Sequence, residues 1–401
     1  MAGAPHWPMT TGRTLLFAVA GGAAVGNLYW AQPLLDVIDR DLGAAPSTAG
    51  WLVTVTQLGY ALGILLVVPL GDVRDRRRLV PLMLALSAVA LAACAAAPTM
   101  ALLLAAITVL GVTTVAGQIL IPLAGDLADP ENRGHVVGTV VSGVLTGILV
   151  SRTLAGLVAG VAGWRTIYVA AAVVAVVLAV VLARTLPSLP PKTVLRYPAL
   201  IASVFTVVVR ERTVRWTLVL GATGFAVFTM FWTALTFHLS GPPFSFGVEV
   251  IGLFGLVGLA GALAAQRSGR LHDRGWSVAA TGVAWLLTLV AFVLAGLAGG
   301  SVVLLVVAIL LLDVAVQANG ILGQARIFGV SHAARSRLNT AYVVNNFLGG
   351  AVGSGLATLL WSRGGWSAIT VAGAVLAGFA LGVWLLGRRG PLRTPLPVPT
   401  G

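Results

Sequence analysis

The 401-residue chain is 58% hydrophobic, has a mean hydropathy of +0.98 and carries only 9% charged residues. That leaves too little polar surface to cover a soluble globule of this size. The net charge of +13 does not point to nucleic acid, because the basic residues stand singly or in short clusters between apolar runs, as topology signals do.

Those runs are about 20 residues long, enough to cross ~30 Å of hydrocarbon. None alternates in the manner of barrel strands. The reading is an all-α polytopic membrane protein. Cys94 is the lone cysteine and lies inside an apolar run, so no internal disulfide is possible. One lysine against 24 arginines, in a chain dominated by Ala, Val, Leu and Gly, suggests a GC-rich bacterial genome.

In chain order, Arg13 precedes a first span over 14–35 that holds Asn27, Tyr29, Trp30 and Gln32, and an acidic loop (Asp36, Asp39, Asp41) follows. Span two (47–70) contains Gln57 and Tyr60. The loop at 71–78 then supplies Asp72, Arg76 and Arg77 within Pro-Leu-Gly-Asp-Val-Arg-Asp-Arg-Arg-Arg, Pro69–Arg78. Span three is 79–97. Span four (100–124) carries Gln118, and a polar loop closes at Gly134. Span five (135–161) has Arg152 inside it, and span six ends near Arg184.

Residues 185–214 hold Pro187, Pro190, Pro191 and Pro198, too many prolines for a span. The piece Ala199–Arg212 reads as a short amphipathic helix on the membrane surface. Six further spans are expected at 216–240, 248–266, 277–298, 301–325, 338–361 and 366–387, with a disordered tail over 389–401.

The chain is thus divided into an N-terminal six-helix half (1–184), a linker (185–214) and a C-terminal six-helix half (215–388). With both termini in the cytoplasm, 21 of the 25 Lys and Arg fall on the cytoplasmic side, the exceptions being Arg40, Arg152, Arg165 and Arg363. The halves repeat in parallel. Asp72 and Asp273 are 201 residues apart, and a shift of 202 sets Arg133 on Arg335, Gly147 on Gly349 and Gly163-Trp164 on Gly365-Trp366. Such a repeat is a transporter architecture, with the substrate path expected at the midplane between halves.

These residues resemble the major facilitator superfamily over essentially the whole chain. The family's loop between spans two and three reads Gly-x-x-x-Asp-Arg-x-Gly-Arg-Arg. Here Val68 and Asp75 stand at the glycine positions, Asp72 at the Asp, Val73 at the first Arg, and Arg76 with Arg77 at the basic end. Gly269, Asp273 and Arg274 form the second copy. The resemblance implies that Asp72, Arg76, Arg77, Gly269, Asp273 and Arg274 form a conformational latch. In it the Asp is expected at the N-terminal end of a helix from the other half.

Span five adds a likeness to the drug–proton antiporters. Gly138, Gly147, Ser151-Arg152 and Ala155-Gly156 keep the spacing of Gly-x8-Gly-x3-Gly-Pro-x2-Gly-Gly, with Ser-Arg in place of Gly-Pro. The family's basic residue on span four falls near Ile107, so Arg152 is expected to supply the intramembrane positive charge.

An ionisable side chain deep in hydrocarbon needs a reason to be there. Asp313 in span ten is the first candidate for proton coupling, since proton and cationic substrate can compete for one carboxylate. Asp36 is the alternative acid, with a solvated interfacial reading beside it. Arg152 is the intramembrane charge partner, and a static ion pair with Asp313 is the plain alternative.

Asn27, Tyr29, Gln32, Gln57, Tyr60, Gln118, Trp232, Gln317, Asn345 and Asn346 are cavity candidates, because amides offer hydrogen bonds and aromatics offer faces to planar or cationic compounds. Interhelical glue and interfacial aromatic belts are the competing account. His238 reads as a loop histidine.

No nucleotide-binding loop, metal spacing or catalytic constellation is present in the sequence, so the chain is expected to be no enzyme, to need no cofactor or metal, and to work as a monomer. The expected function is a secondary active transporter of the inner membrane that exports small amphipathic compounds in exchange for protons. A nutrient importer and a non-transporting membrane sensor are the alternatives.

Overall fold

The computed structural model describes residues 9–45, 47–189, 196–265, 268, 270–271, 274–331 and 334–393, and these form helices joined by turns, with no strand among them. The helices are α1 (Thr11–Gly26), α2 (Leu35–Asp41), α3 (Gly50–Leu66), α4 (Leu70–Val73), α5 (Arg76–Ala96), α6 (Met100–Thr113), α7 (Ala116–Leu127), α8 (Arg133–Ala162), α9 (Trp164–Thr185), α10 (Tyr197–Arg210), α11 (Arg212–Ser240), α12 (Val248–Ala265), α13 (Ser277–Leu297), α14 (Val302–Phe328) and α15 (Arg335–Gly387).

Among the described residues nine helical segments are long and apolar enough to span a bilayer. The interrupted first segment, α12, and the second arm of α15 complete a twelve-helix architecture. Large aliphatic side chains such as Val89, Val173 and Val303 stand exposed on the helix surfaces, which suits a hydrocarbon surround and no aqueous one.

The chain forms two compact units. Met1–Leu200 with Leu239–Leu256 make the first, and Ile201–His238 with Val257–Gly401 make the second. In the first, α1 packs on α8, α5 on α9 and α3 on α6. Small residues permit the closest of these contacts. A Cβ on Gly147 of α8 would fall on the backbone of Gly22 in α1. In the second unit α13 packs on α14 and α15, and Gly349 of α15 meets the backbone of Ala222 in α11 in the same way.

Two expected spans are broken. The first was expected to run over 14–35, but α1 stops at Gly26 and a 3-10 turn over Gln32–Leu34 with Pro33 in its first positions leads into α2. The fourth was expected over 100–124, but it is interrupted at Thr114 and Val115 between α6 and α7. The two interruptions meet. Thr114 Oγ1 donates to the Ala24 carbonyl at 2.6 Å and accepts from Asn27 Nδ2 at 3.1 Å. Backbone groups released by the breaks need such partners where water is scarce.

Helix ends also run further than expected. Asp126 and Arg326 were placed in loops, but they lie in the last turns of α7 and α14. Leu123 and Ala124, like Leu322 and Ile327, are buried and carry those helices through to the polar residue.

The corners at Gly163 and Gly365 repeat one another. Both glycines take positive φ, 82° and 56°, a region closed to most side chains. Each is followed by a Trp whose indole N–H is satisfied. Trp164 donates to Asp41 Oδ2 at 3.0 Å and Trp366 to the Ala295 carbonyl at 2.8 Å.

Candidate functional site

The first unit gathers most of the expected polar residues. Asn27 Oδ1 accepts from Trp30 Nε1 at 2.8 Å, so its amide joins α1, the break that follows it and Thr114. Gln118 of α7 donates to the hydroxyl of the fully buried Tyr60 at 3.2 Å. The Arg152 guanidinium lies over the Tyr29 ring, 5.0 Å from its centroid, a geometry in which the ring quadrupole favours a cation. Gln32 and Gln57 are both buried, and Gln57 Oε1 accepts no hydrogen bond among the described residues. This is a wall of hydrogen-bonding and aromatic groups around one positive charge.

Asp313 is the centre of the second unit's polar set. It is 3% exposed on α14 and accepts from Trp232 Nε1 at 3.3 Å. Gly258 of α12 lies against both, since a Cβ there would come within 2.9 Å of Asp313 Oδ2 and 3.0 Å of the Trp232 ring. Gln317 is one turn along α14 and partly buried. Asn319, two residues further, buries both amide atoms without a hydrogen bond among the described residues.

Asn345 acts as a strut, donating to the Leu218 carbonyl at 2.7 Å. Asn346 Oδ1 packs on Gly221. Asp36 stands at the first turn of α2 in a surface ion pair with Arg40. His238 is buried and stacks parallel on Trp366 at 4.2 Å, so it is a packed residue of α11 where a loop histidine was expected.

Of the expected latch residues, Arg76 is 6% exposed and pairs with Asp126 at 2.7 Å, while Arg77 and Arg274 are exposed and Asp72 is partly buried in α4. Gly269 and Asp273 lie outside the described residues. Asp75, at a position where the resemblance has glycine, caps α5 by accepting from Arg77 N at 2.9 Å. It also takes hydrogen bonds from Ser188 Oγ at 3.0 Å and Leu189 N at 3.2 Å.

Three contributors were missed in the sequence. Thr114 is one of many threonines, and nothing marks it. Asp126 and Arg326 carry a usable signal, since they are 200 residues apart, close to the repeat spacing. Arg326 is 1% exposed and donates to Thr281 Oγ1 at 3.0 Å and Ser277 Oγ at 3.4 Å.

A bundle of long apolar helices with internal repetition, polar groups buried in its spans and a carboxylate at helix mid-length defines a polytopic membrane transporter. The Major Facilitator Superfamily profile matches residues 16–325, and the chain belongs to that superfamily. It is 41% identical over 383 residues to the uncharacterized transporter YgaY of Escherichia coli O157:H7, covering 96% of this chain and 97% of that one. A Streptomyces coelicolor protein described as a probable transporter, SCO4007, is 34% identical over 366 residues, covering 90% of this chain and 84% of that one.

Among solved structures, a bacterial homolog of the human lysosomal transporter Spinster, inward-facing and occupied, superposes with a TM-score of 0.78 at 15% identity, covering 96% of this chain and 98% of the other. A point mutant of the nucleoside transporter NupG gives 0.74 at 14% identity, with 93% and 98% covered. These two likenesses establish the fold: all-helical, of the major facilitator type. The protein is a multi-pass membrane transporter of small molecules that works within a lipid bilayer.

Proposed function

We propose that this transporter exports small amphipathic compounds across a bacterial inner membrane in exchange for protons, by alternating access, with both termini in the cytoplasm. The observation that carries the reading is Asp313, a carboxylate buried in mid-helix and held by the Trp232 indole against Gly258. A buried acid beside an aromatic face is suited to hold either a proton or a cationic, partly aromatic guest. Arg152 over Tyr29 supplies a positive charge within span five, which the antiporter likeness asks for. Asn27, Gln57, Tyr60, Gln118 and Gln317 supply hydrogen bonds to uncharged parts of the guest. The latch residues Asp72, Arg76, Arg77, Gly269, Asp273 and Arg274 govern the change of state, and the protein works as a monomer.

The test is transport in proteoliposomes with ethidium as the reporter and an imposed proton gradient. Protons moving in should drive ethidium out, and Asp313→Asn should abolish the response to the gradient while leaving gradient-independent exchange measurable. Gradient-driven accumulation in the proton's own direction would instead identify an importer. Ligand binding with no flux would identify a sensor.

A further inference from the structure

The first unit contains a second feature, which shares only Asn27 with the residues proposed above to bind the guest. A groove of about 570 Å³ lies between the α1–α8 pair and the α5–α9 pair, within the ~300–1,000 Å³ typical of small-molecule sites. Its lips are Leu15 and Val19 of α1, Leu154 of α8 and Val174 of α9, between 43% and 57% exposed. Aliphatic side chains exposed on spanning helices suit a hydrocarbon surround, and on that reading the groove opens to the lipid.

Along α8 it extends from Thr139 to Leu154, about 22 Å at 1.5 Å per residue. Trp30 is the one aromatic among the described lining residues and stands with Asn27 at one end. A long slot with aliphatic walls fits a flexible chain better than a flat ring system.

The polar atoms inside narrow the occupant further. Ser142 and Thr146 of α8 line the groove and are exposed. Most helical hydroxyls in this chain return their proton to their own backbone. Thr139 does so to the His135 carbonyl at 2.9 Å and Ser151 to the Ile148 carbonyl at 2.8 Å. Ser142 and Thr146 make no such bond among the described residues, and they sit one turn apart at mid-groove. In a hydrocarbon surround two idle hydroxyls are costly, and a plain acyl chain would leave them so.

We propose that this groove is a membrane-facing binding site for a long aliphatic amphiphile that carries a hydrogen-bonding oxygen partway along its chain and enters from the bilayer. The Ser142 and Thr146 hydroxyls hold that oxygen, and the aliphatic walls hold the chain on either side. The site stands independently of Asp313 and of the direction of transport.

The experiment uses the full chain in nanodiscs, photolabelled with a diazirine-bearing stearic acid and challenged with stearic acid or its mid-chain hydroxylated derivative. Labelled peptides should come from α1, α8 and α9. The hydroxylated competitor should displace the label roughly tenfold better than plain stearic acid, as one or two hydrogen bonds in hydrocarbon imply.

The Ser142→Ala/Thr146→Val double variant, which changes only lipid-facing atoms, should keep the labelling and lose the preference. Ala170→Trp, on the exposed rim, should reduce the labelling itself. Absence of label from these peptides would overturn the proposal. So would equal competition by the two acids, the mark of an ordinary lipid chain, or a preference that survives in the double variant.

Discussion

The two units place equivalent polar residues at the same corner of the same helix pair and charge them differently. In the first, Arg76 at the start of α5 meets Asp126 at the end of α7, an ion pair at 2.7 Å. In the second, the positions some 200 residues on hold Ser277 and Arg326. Among the described residues the arginine there donates only to hydroxyls, those of Ser277 and Thr281, and its Nε has no hydrogen bond. The backbone contacts are kept, with Gly147 on Gly22 matched by Gly349 on Ala222. Repetition therefore conserves the approach of helices, which tolerates little change, and lets the charges diverge, which is how one scaffold acquires two unlike halves.

The largest expected effect attacks what the units share. Gly147→Leu and Gly349→Leu each drive a side chain into a neighbouring backbone and should each destabilise by about 3 kcal/mol or more. Thermal unfolding in detergent would show it as a large loss of folded protein for both. Tolerance of either variant would mean that the close contact is not a requirement of the repeat.

The next prediction separates the units. Asp126→Asn leaves Arg76 buried without its carboxylate. It should cost roughly 2 kcal/mol, the half-exposed Asp126 holding the figure below that of a fully buried pair. Arg326→Met removes a buried charge that has only hydroxyl partners among the described residues, and should be within about 1 kcal/mol of neutral or stabilising. Equal losses in the two variants would argue that a counter-charge outside the described residues completes the second corner.

How much of this was legible in the sequence follows from the same contrast. Apolar run length and the 200- to 202-residue offsets define the twelve-helix architecture and even the corners at Gly163 and Gly365, because one residue type suffices where φ must be positive. Asp313 and Arg152 stood out since few charges enter these spans.

The helix breaks at Asn27 and Thr114 were not legible. They depend on one hydroxyl meeting one amide 87 residues away, and hydropathy does not register single partners. Arg326 was read as a loop residue because a charge at the end of an apolar run is ordinarily solvated, and only packing reveals that this one is enclosed. Asp75 was recorded as a departure from a glycine position. Its cap on Arg77 N is local, but its bonds from residues 188 and 189, more than a hundred positions on, were not legible.

That cap is a second point of divergence. α5 opens on Asp75, whose side chain accepts from Arg77 N, whereas α13 opens on Trp276, which is exposed and gives no side-chain cap. Asp75→Ala should cost about 1 kcal/mol. Trp276→Asp should recover a few tenths of a kcal/mol or more for the second unit. Partial burial pushes the Asp75 carboxyl up, but the hydrogen bonds from Arg77, Leu189 and Ser188 and the charge of Arg78 outweigh it and hold the group below its ordinary value. Chemical denaturation of both variants beside the parent would measure the two signs. Two losses would refute the capping account.

The smallest expected effect concerns the corner tryptophans, and there the units differ in what protons can do. Trp366 is tied to a backbone carbonyl, which does not titrate in any accessible range. Trp164 is tied to the Asp41 carboxylate, which also receives Arg165. The hydrogen bond from Arg165, then that from Trp164, lowers the Asp41 carboxyl below its usual value. A carboxyl lowered in the folded state contributes stability that is present above the unfolded value and is lost as pH falls through the folded one. Asp41 and Arg165 are 44% and 39% exposed, so solvent and salt screen the pair and its contribution is about 0.5 kcal/mol. Asp41→Asn should therefore lower stability slightly at neutral pH and not at all below the lowered carboxyl value, whereas Trp366→Phe should lose its carbonyl hydrogen bond at neutral pH and in acid alike, any further change with pH coming from the His238 ring stacked on Trp366. Unfolding followed from pH 7 to pH 3 distinguishes them. An Asp41→Asn difference that persists undiminished into acid would show that the first corner, like the second, is held by shape rather than by charge.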